Sequence, residues 1–319
     1  MAEIILHQYP QSPVAEKVRV GLGIKNLSWR SVEIPRLPPK PDLIPLTGGY
    51  RRTPVMQIGA DIYCDSQCIL RELERRHPEP GYYPPNGDHY SGGLSWALSR
   101  WTDDRLFRQT IELVLAGAGD ALPADFAEDR GRLYFGSEWE KELQKVRDEL
   151  GHTRAQLRGQ FTWLNDWLAS QRASQCDYLL ANRPGVIDAC AYYLVWFVRG
   201  RWAGGPEFLA EFPHLETWEK KVKDIGHGNY TELSASEALT IALNSTTITP
   251  ETSDDRDVQG LVPGAVVDIG PDIDGGEVAV TGVVHAVKSD TISVLRESPE
   301  TGEVCVHFPR VGYRIQVKS

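Results

Sequence analysis

The chain has 319 residues, 41% of them hydrophobic, and a formal net charge of -10. That length predicts two or three domains, each with enough apolar material for a core. The acidity argues against a nucleic-acid partner, which would be held by neutralising phosphates, and no apolar run is long enough to span a bilayer.

The opening "MAEIILHQYP" has no basic n-region, and its apolar run is too short for a secretion signal, so the protein is expected in the cytoplasm with no membrane partner. Residues 3–6 read as a strand and 13–25 as a helix, with Val14, Val18 and Leu22 on one face. A second strand fits 29–33. The proline-rich "IPRLPPKPDLIPLTGG" then argues against a long helix. "PVMQIG" and "DIYC" form two short strands, followed by a helix from Ser66 to about Arg76. This order, β-α-β-loop-β-β-α, predicts an α/β unit with a mixed sheet.

"PEPGYYPPNGDHY", residues 78–90, is a proline- and glycine-rich break. From there to about Leu243 nearly every periodic segment is helical, apart from an acidic stretch at 117–137 read as a loop with short helices. A polar linker covers 244–257. Beyond it the hydrophobic period becomes two, and about five short strands, separated by turn signals such as "DGG", fit a small β-barrel. The fold class is therefore α/β plus all-α plus small β.

Charge is uneven along the chain. Residues 1–80 hold eleven Lys/Arg against nine Asp/Glu, so that part is +2 and the remainder is -12. A small anionic ligand near the amino-terminal part is compatible with this. The five cysteines include no CxxC pair and the histidines form no ligand pattern, so reduced thiols and no metal are expected.

Three local features carry chemistry. Ser12-Pro13 has the residue types of a helix N-cap and first helical position. The same geometry sets a hydroxyl beside the positive helix end, where it favours a thiolate. Thr53-Pro54 opens a strand. A cis bond there turns the Thr53 N–H and C=O away from the sheet, where an added peptide strand can pair with them. Asp65-Ser66 lies between the strand "DIYC" and the helix that follows it: the helix N–H groups and the Ser66 hydroxyl suit a carboxylate, and Asp65 suits an ammonium group.

In order and spacing, "SPVAEKVRVGL", "TPVMQIGADIYCDSQCILREL" and "LLANRPGVIDACAYYLVWF" together resemble the glutathione S-transferase superfamily over roughly residues 1–240. The resemblance implies a thioredoxin-like glutathione-binding domain at 1–78 and an all-helical domain at 90–243 that forms the acceptor-substrate site. The β-barrel at 258–319 is an addition similar to the tail of some fungal glutathione-transferase-like proteins.

By this resemblance Ser12 activates the sulfur of glutathione, the cosubstrate, with Tyr9 a rival close by. Thr53 and Pro54 receive the cysteinyl part, and Asp65 with Ser66 the γ-glutamyl part. Arg52 and Lys40 lie toward the glycyl carboxylate. Trp96, Arg100, Trp101 and Arg105, with Phe107, begin the domain that receives the acceptor. Gly185 departs from the family's Ser/Thr cap and leaves Asp188 the reciprocal half. In the tail, His307, Phe308 and Arg310 are candidates for a lid over the acceptor, beside the plainer expectation of a structural module.

The leading function is a transferase joining the glutathione thiolate to a small electrophilic, hydrophobic molecule, in detoxification or metabolite tailoring. Glutathione-dependent isomerisation, epimerisation or elimination is the alternative, and a non-catalytic scaffold of the same fold is a third reading. The resemblance also implies a homodimer.

Overall fold

The computed structural model describes residues 3–83, 89–118, 121–273 and 276–318. The expected break at 78–90 and the "DGG" turn signal at 274–276 fall partly outside these residues.

The chain begins β1 (Ile5–Gln8), α1 (Pro13–Ile24), β2 (Ser28–Glu33), a short α2 (Ile44–Thr47), β3 (Val55–Ile58), β4 (Asp61–Cys64) and α3 (Ser66–Arg76). Helices follow. They are α4 (His89–Trp101), a π-helical turn at Thr102–Leu106 that runs into α5 (Phe107–Ala118), α6 (Ala124–Phe135) and α7 (Trp139–Asp148). Then come α8 (Leu150–Ala173), α9 (Val186–Arg201), α10 (Gly205–Leu209) and α11 (Pro213–Ile225). The last part holds β5 (Asn229–Glu232), α12 (Ala235–Leu243), β6 (Val266–Pro271), β7 (Val280–Val287), β8 (Thr291–Ser298), β9 (Gly302–Pro309) and β10 (Tyr313–Val317).

Two compact units result, and neither is continuous in sequence. The first combines Met1–Ala15, Ser28–Glu72 and Asn229–Ser319; the second combines Glu16–Leu27 and Leu73–Gly228. The first unit is built on one ten-stranded sheet in the order β10-β6-β7-β8-β9-β4-β3-β1-β2-β5. At its centre β1 is parallel to β2 and antiparallel to β3, and β4 is antiparallel to β3, which is the mixed thioredoxin-like sheet expected from the sequence.

The carboxyl-terminal β region follows the expected five strands, and it is fused to that sheet. Strand β9 lies parallel to β4, with Asp61 opposite Cys305 and Tyr63 opposite His307. The run "VCVHF" explains why β9 can be interior: one face, Val304, Val306 and Phe308, joins the core of Leu43, Leu46, Tyr50 and Ala242. Burying a side chain such as Phe308 contributes roughly 1.5–3 kcal/mol. The β region also approaches the α2 loop so closely that a Cβ at Gly48 (φ 75°) would lie 2.1 Å from the Arg296 guanidinium.

Three segments differ from expectation. Strand β5 sits within the stretch read as helical and pairs in parallel with β2. Its four residues are all exposed, so no apolar alternation marks it. Helix α6 replaces most of the loop expected at 117–137. Arg130 and Leu133 are buried, Phe126 and Tyr134 pack on a neighbouring core, and Glu128 pairs with Arg132 one turn apart. The segment at 244–257, expected as a plain linker, is bonded along its length: Thr247, Ile248 and Thr249 reach Asp61, and Thr252 bridges to Ala286.

In the second unit α9 is buried nearly all round, from Val186 to Val195, and packs against α4, α5, α10 and α11. Four of the five cysteines, Cys64, Cys68, Cys190 and Cys305, are buried free thiols. Burial pushes the Cys305 thiol up to about 12, which makes it a poor nucleophile.

Candidate active site

The sheet register brings three of the sequence's motifs to one end of the first unit. His7 near the end of β1 is opposite Val55 at the start of β3, and Val55 is also opposite Cys64 at the end of β4. The turn after β1, the Thr53-Pro54 step before β3 and the Asp65-Ser66 step after β4 are therefore neighbours at the carboxyl ends of β1 and β4. Open α/β sheets bind ligands at such ends.

Ser12 is the N-cap of α1. Its Oγ accepts from the Ala15 N–H (3.2 Å), and its own N–H donates to the Tyr9 carbonyl (3.1 Å). The residue is buried at 2% exposure. A cap uses a lone pair of the hydroxyl and leaves the hydroxyl proton for another acceptor, so capping and donation to a sulfur anion are compatible. Tyr9, also buried, opens the turn that Ser12 closes, and Lys40 lies 5.8 Å from its ring centroid.

The Thr53-Pro54 bond is cis, and Thr53 stands two residues before the β3 ladder begins at Val55. Lys40 organises this loop. Its buried ammonium donates to the Arg51 carbonyl (2.9 Å) and the Thr53 hydroxyl (3.0 Å). Arg52 is bound by a residue the sequence did not single out. Its Nε lies 3.0 and 2.8 Å from the two carboxylate oxygens of Glu277, and its Nη2 also bonds that carboxylate. Burial works against the Arg52 charge, but the Glu277 carboxylate outweighs it and raises the guanidinium pKa further.

Asp65 has φ 74°, a conformation that aspartate tolerates better than most residues. Its Oδ1 accepts from the Gln67 N–H (2.8 Å), which fixes the entry to α3, and Ser66 is buried at the first position of that helix. Its Oδ2 lies 3.1 Å from the Tyr313 hydroxyl, which is in turn 3.2 Å from the Tyr50 hydroxyl. Burial, reinforced by Asp65, pushes both phenols well above their ordinary value, so both stay protonated. The single Tyr313 proton goes to the carboxylate, and Tyr50 donates to Tyr313. Two lone-pair positions of Asp65 remain for an ammonium group.

The residues expected for an acceptor lie in the second unit. Trp96 and Trp101 are half-buried and spend their indole N–H groups on the Tyr83 hydroxyl (2.8 Å) and Gln160 Oε1 (2.8 Å). Arg100 and Arg105 are exposed, with Asp104 3.9 Å from Arg100, and Phe107 packs by its ring against Tyr134 and Tyr193. The "WTDDR" step is where the helix opens into the π-helical turn. Asp103 receives the Lys17 ammonium at 2.7 Å, and the Tyr193 hydroxyl lies 3.1 Å from both Asp103 Oδ1 and the Thr102 carbonyl. The Thr102 carbonyl also accepts the Phe107 N–H of the π-helical turn, so Tyr193 is a second donor to it.

Gly185 and Asp188 behave as the sequence implied. Asp188 Oδ2 accepts the Gly185 N–H (2.9 Å), while Oδ1 takes the Leu179 N–H (3.0 Å) and the Trp218 indole (2.8 Å). The missing hydroxyl has a steric cause: a Cβ at 185 would lie 2.6 Å from the Tyr82 carbonyl. Burial pushes the Asp188 carboxyl up to about 6 against those three donors.

The tail candidates are structural. Phe308 is in the core, Arg310 binds Asp257, and His307 stacks on Tyr63 while its Nε2 lies 3.0 Å from Asp61 Oδ1. An ionised Asp61 only accepts, so Nε2 carries the proton and Nδ1 accepts from Ser293 (2.7 Å). Asp61, His307 and Cys305 hold metal-capable atoms within 4.8 Å of one another. Asp61 is nevertheless saturated: Thr247 and Thr249 (2.7 Å each) share Oδ1 with His307, and the Ile248 N–H (3.0 Å) takes Oδ2. The cluster is a staple between β4, β9 and the segment at 244–257.

Comparison with known proteins identifies the family and the fold. Residues 6–81 match the family model of the glutathione S-transferase N-terminal domain. A GST-like protein from Pseudomonas syringae is 32% identical over the whole of both chains, with a TM-score of 0.73. A Tau class glutathione S-transferase from mango, Mangifera indica, is 14% identical with a TM-score of 0.53, covering 70% of this chain and 92% of its own. FtsZ-localized protein A of Caulobacter vibrioides is 24% identical over 230 residues, 69% of this chain and 87% of that protein. The match to the Pseudomonas protein spans the β region as well.

Proposed function

Since this chain belongs to the glutathione S-transferase superfamily, we propose that it binds a glutathione-type thiol at the carboxyl ends of β1 and β4 and transfers it to a small electrophile. The observation that carries this reading is the convergence of Ser12, Thr53-Pro54 and Asp65-Ser66 at one end of the sheet. In it, Thr53 pairs with the cysteinyl backbone beside Pro54. The Ser66 hydroxyl and the N-terminal N–H groups of α3 hold the γ-glutamyl carboxylate, and Asp65 holds its ammonium.

Ser12 then donates its hydroxyl proton to the sulfur and raises the thiolate fraction at neutral pH. The thiolate attacks an electrophilic carbon; the C–S bond forms as a leaving group departs with its electron pair, or as electrons move into an adjacent electron-poor system. Tyr9 is the alternative donor to sulfur. Lys40 and Arg52 border the glycyl end, and Trp96, Arg100, Trp101 and Arg105 border the acceptor. Isomerisation or elimination with return of the thiol uses the same site, and the proposed setting is a cytoplasmic homodimer.

The test is Ser12→Ala with an aryl halide acceptor. Conjugation at neutral pH is expected to fall about 100-fold, as for loss of one donor to a developing anion, with the bound-thiol pKa rising and thiol affinity little changed. An unchanged rate would pass the role to Tyr9, to be checked with Tyr9→Phe. The likeness to FtsZ-localized protein A supports a second reading, a non-catalytic role in protein assembly on the same fold. Under it, no acceptor is conjugated by the intact protein.

A further inference from the structure

Two residues of the proposed thiol site, Asp65 on its γ-glutamyl side and Arg52 on the glycyl side that the family resemblance implies, are each bonded by the carboxyl-terminal β region. On the Asp65 side the Tyr313 hydroxyl donates to Oδ2 at 3.1 Å and the Gln67 N–H to Oδ1, which leaves two lone-pair positions for an ammonium. On the Arg52 side the situation is reversed. Glu277, with a side chain only 5% exposed, binds Arg52 through Nε and Nη2 and balances its charge. Arg52 keeps 34% side-chain exposure, and Glu277 engages its Nε and Nη2 but not its Nη1.

A neutral carbonyl accepts well from a guanidinium edge whose charge is already balanced. A carboxylate placed there meets the buried Glu277 carboxylate and loses the advantage that Arg52 alone would provide. Lys40, which with Arg51 adds further positive charge near Arg52 in sequence, donates to the Arg51 carbonyl and the Thr53 hydroxyl and so shapes the loop.

We infer that Glu277 sets the specificity of the thiol site, selecting a γ-glutamyl-cysteinyl peptide whose carboxyl end is tied up as an amide over one with a free carboxylate. This rests on the glutathione reading above. The segment carrying Glu277 lies in the β6–β7 connection, 225 residues from Arg52 in sequence, so the β region becomes part of the ligand site.

The test is calorimetric titration of the full-length protein with two reduced probes: glutathione, and glutathione with its glycyl carboxyl converted to the primary amide. The intact protein is expected to bind the amide about tenfold more tightly, a difference of about 1.4 kcal/mol. In Glu277→Gln, where Arg52 regains an unbalanced charge, the preference is expected to vanish or reverse in favour of the free carboxylate. Equal binding, or tighter binding of free glutathione, by the intact protein overturns the inference and leaves the thiol site standing. Failure of the intact protein to bind either probe overturns the thiol site itself, and the inference with it. The comparison of probes on the unmodified chain decides the question even if Glu277→Gln does not fold.

Discussion

Asp61 in the first unit and Asp188 in the second are both buried aspartates that hold distant segments together, yet their carboxyls are driven in opposite directions. Burial opposes the charge of both. At Asp61 the bonds from His307, the Ile248 N–H and Thr249 overcome it and bring the pKa down to about 2. At Asp188 the donors are two backbone N–H groups and an indole, burial prevails, and the pKa rises to about 6. Asp61 takes four donors, three of them side chains, whereas Asp188 takes three and there burial prevails. The difference also separates a graft from a native joint. Asp61 binds the added β region to the thioredoxin-like sheet, whereas Asp188 caps a helix inside the helical unit.

The largest effect is expected from Asp61→Ala. It leaves the buried His307 and the half-buried Thr247 and Thr249 without their acceptor and is expected to cost about 3–5 kcal/mol in urea unfolding. If the loss is below about 1 kcal/mol, Asp61 is not the staple.

The pH dependence sharpens the contrast. The folded pKa of Asp188 is raised, so its stabilising contribution is complete below the unfolded value near 3.8 and is lost as pH rises to about 6. Two pH units correspond to about 3 kcal/mol. The folded pKa of Asp61 is lowered, so its contribution is complete above about 3.8 and is lost as pH falls toward 2. Asp188→Asn is expected to flatten the limb between pH 4 and 6, and Asp61→Asn the limb below pH 4. Unfolding curves across pH check both, and flattening of the same limb by both variants would break the comparison.

Gly185→Ser restores the side chain that usually caps this helix but sets a Cβ 2.6 Å from the Tyr82 carbonyl. The clash is expected to win, with a net loss of about 1–2 kcal/mol by thermal melting; a gain would mean that the backbone gives way. The smallest effect is expected at Ser12→Ala, about 1 kcal/mol for the lost cap of α1. That is small enough for activity and folding to be read separately.

Much of the first unit was legible because its elements carry local signals. The apolar runs "EIIL" and "PVMQIG", the Ser-Pro entry to α1 and the Asp-Ser entry to α3 each fix an element within about two residues. Strand β5 carried no signal, since "NYTE" gains its pairing from β2 and no buried face of its own. Helix α6 was obscured by the Gly and Pro around it and by its charge, although Arg130 and Leu133 are buried.

In the candidate site, Ser12, Thr53, Asp65 and Ser66 could be named because each begins or precedes an element. Glu277 and Tyr313 could not. Their partners Arg52 and Asp65 are 225 and 248 residues away in sequence, and the parallel pairing of β9 with β4 joins the β region carrying them to that sheet.

The most direct measurement is calorimetric titration of glutathione, free and amidated, into the intact protein and into Ser66→Ala. Micromolar-to-millimolar binding of at least one form, weakened by Ser66→Ala, is the expected result. No binding of either form at millimolar concentration, or binding indifferent to Ser66, would contradict a thiol site at the ends of β1 and β4.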